Sequence, residues 1–155
     1  MDTIIVFFGQ YFGYILIGLL LLFLLKKRYI RLILQMAAAA ILSRGIITEA
    51  IRFFFPQDRP FVENGSIPLI PHESSSSFPS GHASLFFALG TVLYLYNKKA
   101  GALFLLASVV IGIARVLAGL HWPIDIVAGA LIGVACGWLV WKSAILLYSR
   151  RSHAN

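Results

Sequence analysis

Long apolar segments constrain the fold of this chain more than any other feature. Five of them follow one another along the sequence: Ile4–Leu25, Tyr29–Phe55, Gly81–Tyr96, Ala100–Leu120 and Ile124–Tyr148. A helix needs about 20 predominantly apolar residues to cross the hydrocarbon core of a bilayer, and only the third segment is short of that length. The sequence therefore predicts an all-α, polytopic transmembrane helical bundle of about five spanning helices, forming a single domain over residues 1–155.

Composition supports a membrane protein and also indicates its orientation. The residues are 59% hydrophobic and 12% charged, and the net charge is +7. A soluble domain carries about twice that charged fraction. Basic clusters lie between segments one and two, between segments three and four, and after segment five, namely Lys26, Lys27, Arg28 and Arg31, then Lys98 and Lys99, then Arg150 and Arg151.

Antiparallel hairpins place these three clusters on one face, which the positive-inside rule makes cytoplasmic. The six acidic residues fall toward the other face. We therefore expect a multi-pass protein of a plasma or inner membrane, with its N-terminus outside and its C-terminus in the cytoplasm. The basicity follows membrane topology and does not indicate a nucleic acid partner.

Polar groups are concentrated in three short motifs at the ends of the apolar segments. In an up-and-down bundle these ends share the face opposite the basic loops. Apolar membrane chains rarely retain such groups without a function. Together, three guanidiniums, two imidazoles and one carboxylate could bind and transfer a phosphate. The motifs are Arg52-x6-Arg59-Pro60, Pro79-Ser80-Gly81-His82 and Arg115-x5-His121-x3-Asp125.

The second motif has the features of an anion site at a helix start. Ser80 is a predicted N-cap, which leaves the amides of Gly81 and His82 at the positive end of the helix dipole. Forked donors for phosphate oxygens can come from the arginines of the other two motifs, Arg52, Arg59 and Arg115. Their charges would also favour a more negative transition state.

The third motif can supply a nucleophile. His121 and Asp125 are one helical turn apart, and Pro123 suits the first turn of the helix that follows. A carboxylate at that spacing can accept a hydrogen bond from one ring nitrogen and leave the other free to attack. His82 is then the candidate that protonates the leaving oxygen and later activates water.

The joint spacing of these motifs resembles the type 2 phosphatidic-acid phosphatase superfamily, which shares its site with the vanadium haloperoxidases. The family pattern is Lys-x6-Arg-Pro, then Pro-Ser-Gly-His, then Ser-Arg-x5-His-x3-Asp, and the match covers residues 52–125. The resemblance implies a phosphatidic-acid-phosphatase/haloperoxidase-like core, a phosphohistidine at His121 partnered by Asp125, and His82 as acid and base. It also implies catalysis without metal or other cofactor, and phosphate contacts from Arg52, Arg59, Ser80, Gly81 and Arg115.

Small size and the stretch from Arg59 to Ser80 are similar to bacterial undecaprenyl-diphosphate phosphatases of the bacitracin-resistance type. That likeness implies a lipid phosphate or diphosphate substrate, most simply undecaprenyl diphosphate. Phosphatidylglycerophosphate, phosphatidate and lipid A phosphatases remain alternatives. Arg52 stands where the family has lysine and Ala114 where it has serine, so a catalytically inactive scaffold relative is a further alternative.

Several features have a structural interpretation beside a functional one. The run Ser74–Ser77 is a flexible linker or part of a loop that frames the site. Gly129-x3-Gly133-x3-Gly137 favours packing within the chain over a dimer interface, and it leaves the oligomeric state open. His72 is either a solvated loop histidine or a substrate contact. Arg44 and Glu49 lie within the second span, where Arg44 either extends the polar cleft or pairs internally or snorkels. A zinc site at His82, His121 and Asp125 is disfavoured by the arginines around it.

Overall fold

The computed structural model describes residues 1–24 and 29–152, and within those ranges the regular secondary structure is helical. The all-α expectation is confirmed. Lys26, Lys27 and Arg28, and the predicted end of the first segment at Leu25, lie outside the described residues. The elements are α1 (Asp2–Val6), a π-helical segment π1 (Phe7–Tyr11), α2 (Phe12–Leu24), α3 (Ile30–Ala40), a second π-helical segment π2 (Ile41–Thr48), α4 (Glu49–Phe54), α5 (Pro60–Glu63), α6 (Gly81–Tyr96), α7 (Lys98–Leu117) and α8 (Pro123–Ser152).

Four continuous helical stretches in the described part of the chain are long and apolar enough to cross a membrane: Asp2–Leu22, Ile30–Phe54, Lys98–Leu117 and Pro123–Leu147. The third predicted segment forms α6, a shorter apolar helix. Much of the outer surface is apolar, with Leu103 69% and Leu131 67% exposed. Such a surface suits lipid rather than water, and the protein is a multi-pass membrane protein.

Helix α6 is the centre of the bundle and packs against α8, α7 and α3. Its apolar side chains form the core together with those of the neighbouring helices. The buried members of this core are Leu20, Leu24, Leu32, Met36, Ala39, Phe86, Ala88, Val92, Leu93, Phe104 and Ile111. Because the central helix begins at Gly81, the Pro-Ser-Gly-His motif is fixed at the middle of one end of the bundle.

Small residues bring α8 close to α6. A Cβ added at Gly129, Gly133 or Gly137 would collide with the backbone of α6, at the carbonyls of Ser80, Ser84 and Ala88 respectively. The prediction that this stripe packs within the chain is confirmed. Cys136, on the same helix, is buried. The close approach sets the position of Asp125 relative to the start of α6.

The segment between α4 and α6 folds back over the end of the bundle. It contains the single-turn helix α5, and Leu69 N–H donates to the carbonyl of Ala118 at 3.2 Å. Ile70 packs with Ala118 and Leu120 in a small apolar cluster. Ser77 N–H donates to the carbonyl of Gln57 at 2.7 Å, which closes the base of the loop. Of the two interpretations of the serine run, the structure supports the loop that frames the polar end.

Candidate active site

The three motifs meet where α4 and α7 end and where α6 and α8 begin. Ser80 N–H donates to the backbone carbonyl of Asp125 at 3.0 Å, which joins the starts of α6 and α8. The Ser80 side chain caps α6 by accepting from Ala83 N–H, as predicted. Helix alternation therefore brings together residues that are distant in sequence, and most of their side chains are buried.

His121 lies in a buried network with a carboxylate on one side and a guanidinium on the other. Its Nδ1 is 3.3 Å from Asp125 Oδ2, and its Nε2 is 3.4 Å from Arg59 Nη1. All three residues are almost completely buried: His121 is 2% exposed, Asp125 0% and Arg59 1%. A proton on Nδ1 satisfies the carboxylate, and the Nε2 lone pair then faces the guanidinium.

Asp125 Oδ2 collects several donors that fix the carboxylate. Trp122 N–H donates to it at 2.9 Å, and the hydroxyl of Ser77 also donates to it. The same hydroxyl oxygen lies 3.4 Å from His121 Nδ1. The carboxylate is thereby held in one orientation against the imidazole, as in arrangements where an acid orients a catalytic base.

Arg59 ties the loop to the third motif. Its Nη1 donates to the Leu120 carbonyl at 2.9 Å, and its Nε donates to the Ser75 carbonyl at 2.9 Å. Its Nη2 donates hydrogen bonds to the Ser75 hydroxyl and to the Ser76 carbonyl. The guanidinium is thus aimed at His121 by backbone contacts on both sides, and Pro60 begins α5 directly after it.

A backbone carbonyl of the first span fixes the position of the Arg115 side chain. Its Nη1 donates to the carbonyl of Gly9, in π1, at 3.0 Å, and the side chain is 3% exposed. Its buried Nε has no hydrogen-bond partner among the described residues. Ala114 is buried beside Gly9, where the family pattern has a serine. A buried guanidinium with an unused donor is suited to an anionic oxygen.

Arg52 contacts the second motif from α4, and His82 is the last residue of that motif. Arg52 donates from Nε and Nη2 to the Pro79 carbonyl, at 3.1 and 3.0 Å. His82 lines a cavity of about 90 Å³ between α6, α7 and the first span, beside Gly9 and Tyr14. His82 interacts electrostatically with Arg115 and His121, but none of the hydrogen bonds found in the described part of the chain joins these side chains.

The charge states outside the spans follow from burial. The pKa of His121 is lowered to about 4, chiefly by burial; the hydrogen bond that Asp125 accepts raises it, and the positive charges of Arg115 and Arg59 lower it. Burial and repulsion from Arg52 lower the pKa of Arg59 to about 10. At neutral pH His121 is therefore a neutral imidazole beside a charged guanidinium, which is the state that a nitrogen nucleophile requires.

Comparison with known proteins identifies the family. The sequence profile described as the PAP2 superfamily matches residues 29–147, most of the chain. The chain belongs to the PAP2 superfamily. This confirms the resemblance drawn from the motifs, and it places the chain in a family of phosphatases that act on phosphate esters.

Individual PAP2 relatives agree with this assignment. The bacitracin transport permease protein BcrC of Bacillus licheniformis is 33% identical over 93% of this chain and 72% of its own length. Undecaprenyl-diphosphatase BcrC of Bacillus subtilis (strain 168) is 28% identical over 95% of this chain and 77% of its own length. The crystal structure of Aquifex aeolicus LpxE has a TM-score of 0.75 and 32% identity, covering 91% of this chain and 85% of that chain.

The PAP2 site residues predicted from sequence are brought to one end of the bundle. His121 contacts both Arg59 and Asp125, while Arg52 and Ser80 join them through the backbone around Pro79 and Asp125. His72 is half-buried in the loop and contacts its neighbour's carbonyl. Across the described residues, no group of three His, Cys, Asp or Glu side chains is placed to hold a metal ion.

Ser77 contacts both His121 and Asp125, and no sequence motif marks it as a site residue. It is fully buried, unlike Ser74 in the same run. The sequence feature that could have indicated its role is its position three residues before Ser80, because a residue so close in sequence to the second motif must lie near it. The serine run hid this signal, since four identical residues show no periodicity that separates a buried position from exposed ones.

Replacing Ser77 with alanine should lower kcat about 10- to 100-fold, since a hydrogen bond to a charged group contributes about 1.5–3 kcal/mol. The carboxylate would keep the His121 and Trp122 contacts but lose one donor. Ser74→Ala is the matched control, because Ser74 is exposed in the same run. Phosphate release by purified protein measures the effect. A Ser77→Ala kcat within twofold of the control would show that the hydroxyl does not position the pair.

The pH dependence of kcat/KM should reflect the low pKa of His121, which is about 4. Protonation of the free enzyme at Nε2 removes the nucleophile, so activity is lost as pH falls through that value and is unaffected by His121 ionisation above it. The profile is measured with two lipid substrates whose phosphate pKa values differ. The acidic limb stays at the same pH for both substrates if it reports ionisation of the enzyme, and it moves if it reports ionisation of the substrate. A fixed acidic limb near the ordinary histidine value of about 6.5 would contradict this electrostatic account.

Proposed function

We propose that this protein removes the terminal phosphate of a lipid diphosphate, with undecaprenyl diphosphate as the preferred substrate, through a phosphohistidine at His121. The observation that carries the proposal is the buried position of His121 between Asp125 and Arg59. One ring nitrogen faces the acceptor that would hold its proton, and the other faces a cation that would bind the phosphate it attacks.

The chemistry requires two displacements at the terminal phosphorus. In the first, His121 Nε2 bonds to phosphorus while the bond from phosphorus to the bridging oxygen breaks, and His82 gives a proton to that oxygen. In the second, a water molecule deprotonated by His82 attacks phosphorus and the N–P bond breaks. The products are the lipid monophosphate and inorganic phosphate, and both histidines return to their starting state.

The phosphate-binding roles are assigned to groups that surround this path. Arg59 and Arg115 would hold the terminal phosphate from inside, and Arg52 would act from the α4 end. The first-turn amides of α6, at Gly81 and His82, would add backbone donors. Positive charge at these positions stabilises the expanded, more negative transition state more than it stabilises the bound substrate. The arginines would therefore raise kcat.

The substrate assignment follows the PAP2 relatives, among which those of Bacillus subtilis and Sulfolobus acidocaldarius are named undecaprenyl-diphosphatases. The retained histidines, aspartate and arginines favour an active enzyme over an inactive scaffold. Phosphatidylglycerophosphate, phosphatidate and lipid A remain alternative substrates because lipid tails are recognised by apolar surfaces. The charge distribution supports a site on the extracytoplasmic side of a plasma or inner membrane, with the C-terminus in the cytoplasm.

A substrate panel tests the proposal. Detergent-purified protein in EDTA is assayed for phosphate release from polyprenyl diphosphate, phosphatidylglycerophosphate, phosphatidate and lipid A. We expect metal-independent release with the highest kcat/KM for the polyprenyl diphosphate. A higher kcat/KM for one of the other lipids would reassign the substrate, and no release from any of them by folded protein would favour the inactive relative.

A further inference from the structure

A cluster of three charged residues lies in the second span, and two of them, Arg44 and Glu49, are outside the residues assigned to the transferred phosphate. Glu49 pairs with Arg44 and, at 3.4 Å, with Arg52. The side chains of Arg44 and Glu49 are 39% and 49% exposed. Two guanidiniums thus share one carboxylate, which leaves one unit of positive charge without a counterion in the cluster. An unbalanced charge on a membrane-spanning helix is costly unless it has a task.

The cluster is located directly against the phosphate-binding turn. The Arg44 guanidinium covers Gly81, since a Cβ on Gly81 would collide with Arg44 Nε, Cδ and Cζ. Arg52 holds the Pro79 carbonyl just before that turn. Arg44 also interacts electrostatically with His82 and with Arg59. The uncompensated charge is therefore close to the group proposed to protonate the leaving oxygen.

The position of Arg44 is fixed by the fold. It lies in π2, and π-helical segments are frequent at functional sites. Thr48, in the same segment, donates to the Ser84 hydroxyl at 2.8 Å, and both residues are fully buried. This contact locks the second span to α6 one turn beyond Gly81. In the described part of the chain, the hydrogen bond found for Arg44 uses Nη1, so most of the five guanidinium N–H donors remain for a ligand.

We propose that Arg44, together with Arg52, forms the subsite for the second phosphate of a diphosphate substrate, the phosphate that stays on the lipid. This inference rests on phosphoryl transfer at His121. Once the terminal phosphate is at His121, the bridging oxygen is at His82 and the second phosphate lies immediately beyond it. That phosphate carries one negative charge, which matches the single excess positive charge of Arg44, Glu49 and Arg52. A monophosphate substrate has no group for this subsite, so Arg44 confers selectivity for diphosphates.

The test compares two lipids with the same tail, a polyprenyl diphosphate and the corresponding monophosphate, in micelles of a phosphate-free detergent. Arg44→Gln removes the charge and keeps a polar side chain toward Glu49. We expect kcat/KM for the diphosphate to fall about 30-fold, as for loss of a charge-assisted hydrogen bond, and kcat/KM for the monophosphate to fall less than about threefold through weaker long-range attraction. Arg44→Lys should recover part of the diphosphate preference. Arg31→Gln, at the other end of the same span, is the control for loss of an arginine charge and should affect the two lipids equally.

Equal losses for both lipids with Arg44→Gln, or no loss for either, would overturn the subsite. A phosphate could also reach Arg44 from the headgroup of a bilayer lipid, and added phosphatidylglycerol tests this alternative. If Arg44 binds headgroups instead, the added lipid would change wild-type activity on both substrates alike, and Arg44→Gln would abolish that change.

Binding of inorganic pyrophosphate and inorganic phosphate, measured by calorimetry, gives a readout that does not require turnover. We expect Arg44→Gln to weaken pyrophosphate binding at least about 10-fold more than phosphate binding. If the wild type hydrolyses neither lipid but shows this difference, the proposed function fails, and Arg44 is still part of a diphosphate-binding site. If turnover follows His121 but the difference is absent, the subsite fails and the proposed function stands.

Discussion

Replacing His121 with alanine is expected to reduce phosphate release by a factor on the order of 10⁵ or more, because the variant lacks the atom that attacks phosphorus. Removal of a nucleophile in a concerted catalytic group costs about as much as removal of the whole group. The arginines would still bind substrate, so KM should change much less than kcat. Steady-state phosphate release in EDTA, with the lipid concentration varied, separates the two parameters.

His72→Ala is the matched control for this experiment. His72 lies in the loop over the same end of the bundle, and its ring contacts the carbonyl of Glu73 rather than a site residue. We expect it to retain activity within a few fold, as for most exposed or half-exposed substitutions. A His121→Ala variant with kcat similar to that of His72→Ala would exclude His121 as the nucleophile.

Asp125→Asn should lower kcat by about 10³- to 10⁴-fold, the effect seen when an orienting carboxylate becomes an amide in a catalytic triad. Asp125 Oδ2 accepts from Trp122 N–H and from the Ser77 hydroxyl, and it faces His121 Nδ1. An amide at this position can present a donor to Nδ1, which would move the imidazole proton to Nε2. The neutral ring would then point its N–H, rather than its lone pair, at the phosphate.

Asp58→Asn, an exposed loop aspartate near Arg59, is the control for Asp125→Asn. Because Asp125 also binds the Trp122 amide at the start of α8, each variant needs a measured unfolding temperature and a monodisperse elution profile. A folded Asp125→Asn protein with at least a tenth of wild-type kcat would show that the carboxylate does not set the tautomer of His121.

Much of the architecture could be predicted from sequence because membrane helices are specified by length and hydropathy. The alternation of helix direction then put Arg52, Ser80 and Arg115 at one end without any knowledge of packing. The four-residue spacing also predicted the contact of His121 with Asp125, although His121 precedes α8, which begins at Pro123. These inferences need only helix length, helix direction and sequence spacing.

Other parts of the site depend on tertiary contacts and could not be predicted. The π2 segment that carries Arg44 has no pattern that separates it from an ordinary apolar helix, and its register against Gly81 follows from the Thr48 to Ser84 hydrogen bond. The burial of Ser77 depends on the loop closing at Gln57. The contact of Arg115 with Gly9 joins two spans that are distant in sequence, and neither span alone indicates it.

Rapid-quench labelling tests the central claim most directly, the covalent role of His121. Wild-type protein is mixed with polyprenyl diphosphate carrying ³²P in its terminal phosphate, quenched with alkali within the first turnover, and examined for protein-bound label. The account predicts label that survives alkali and is lost in acid, as a phosphohistidine is, and no label in His121→Ala. First-turnover phosphate release without protein-bound label, or equal labelling of the variant, would contradict it.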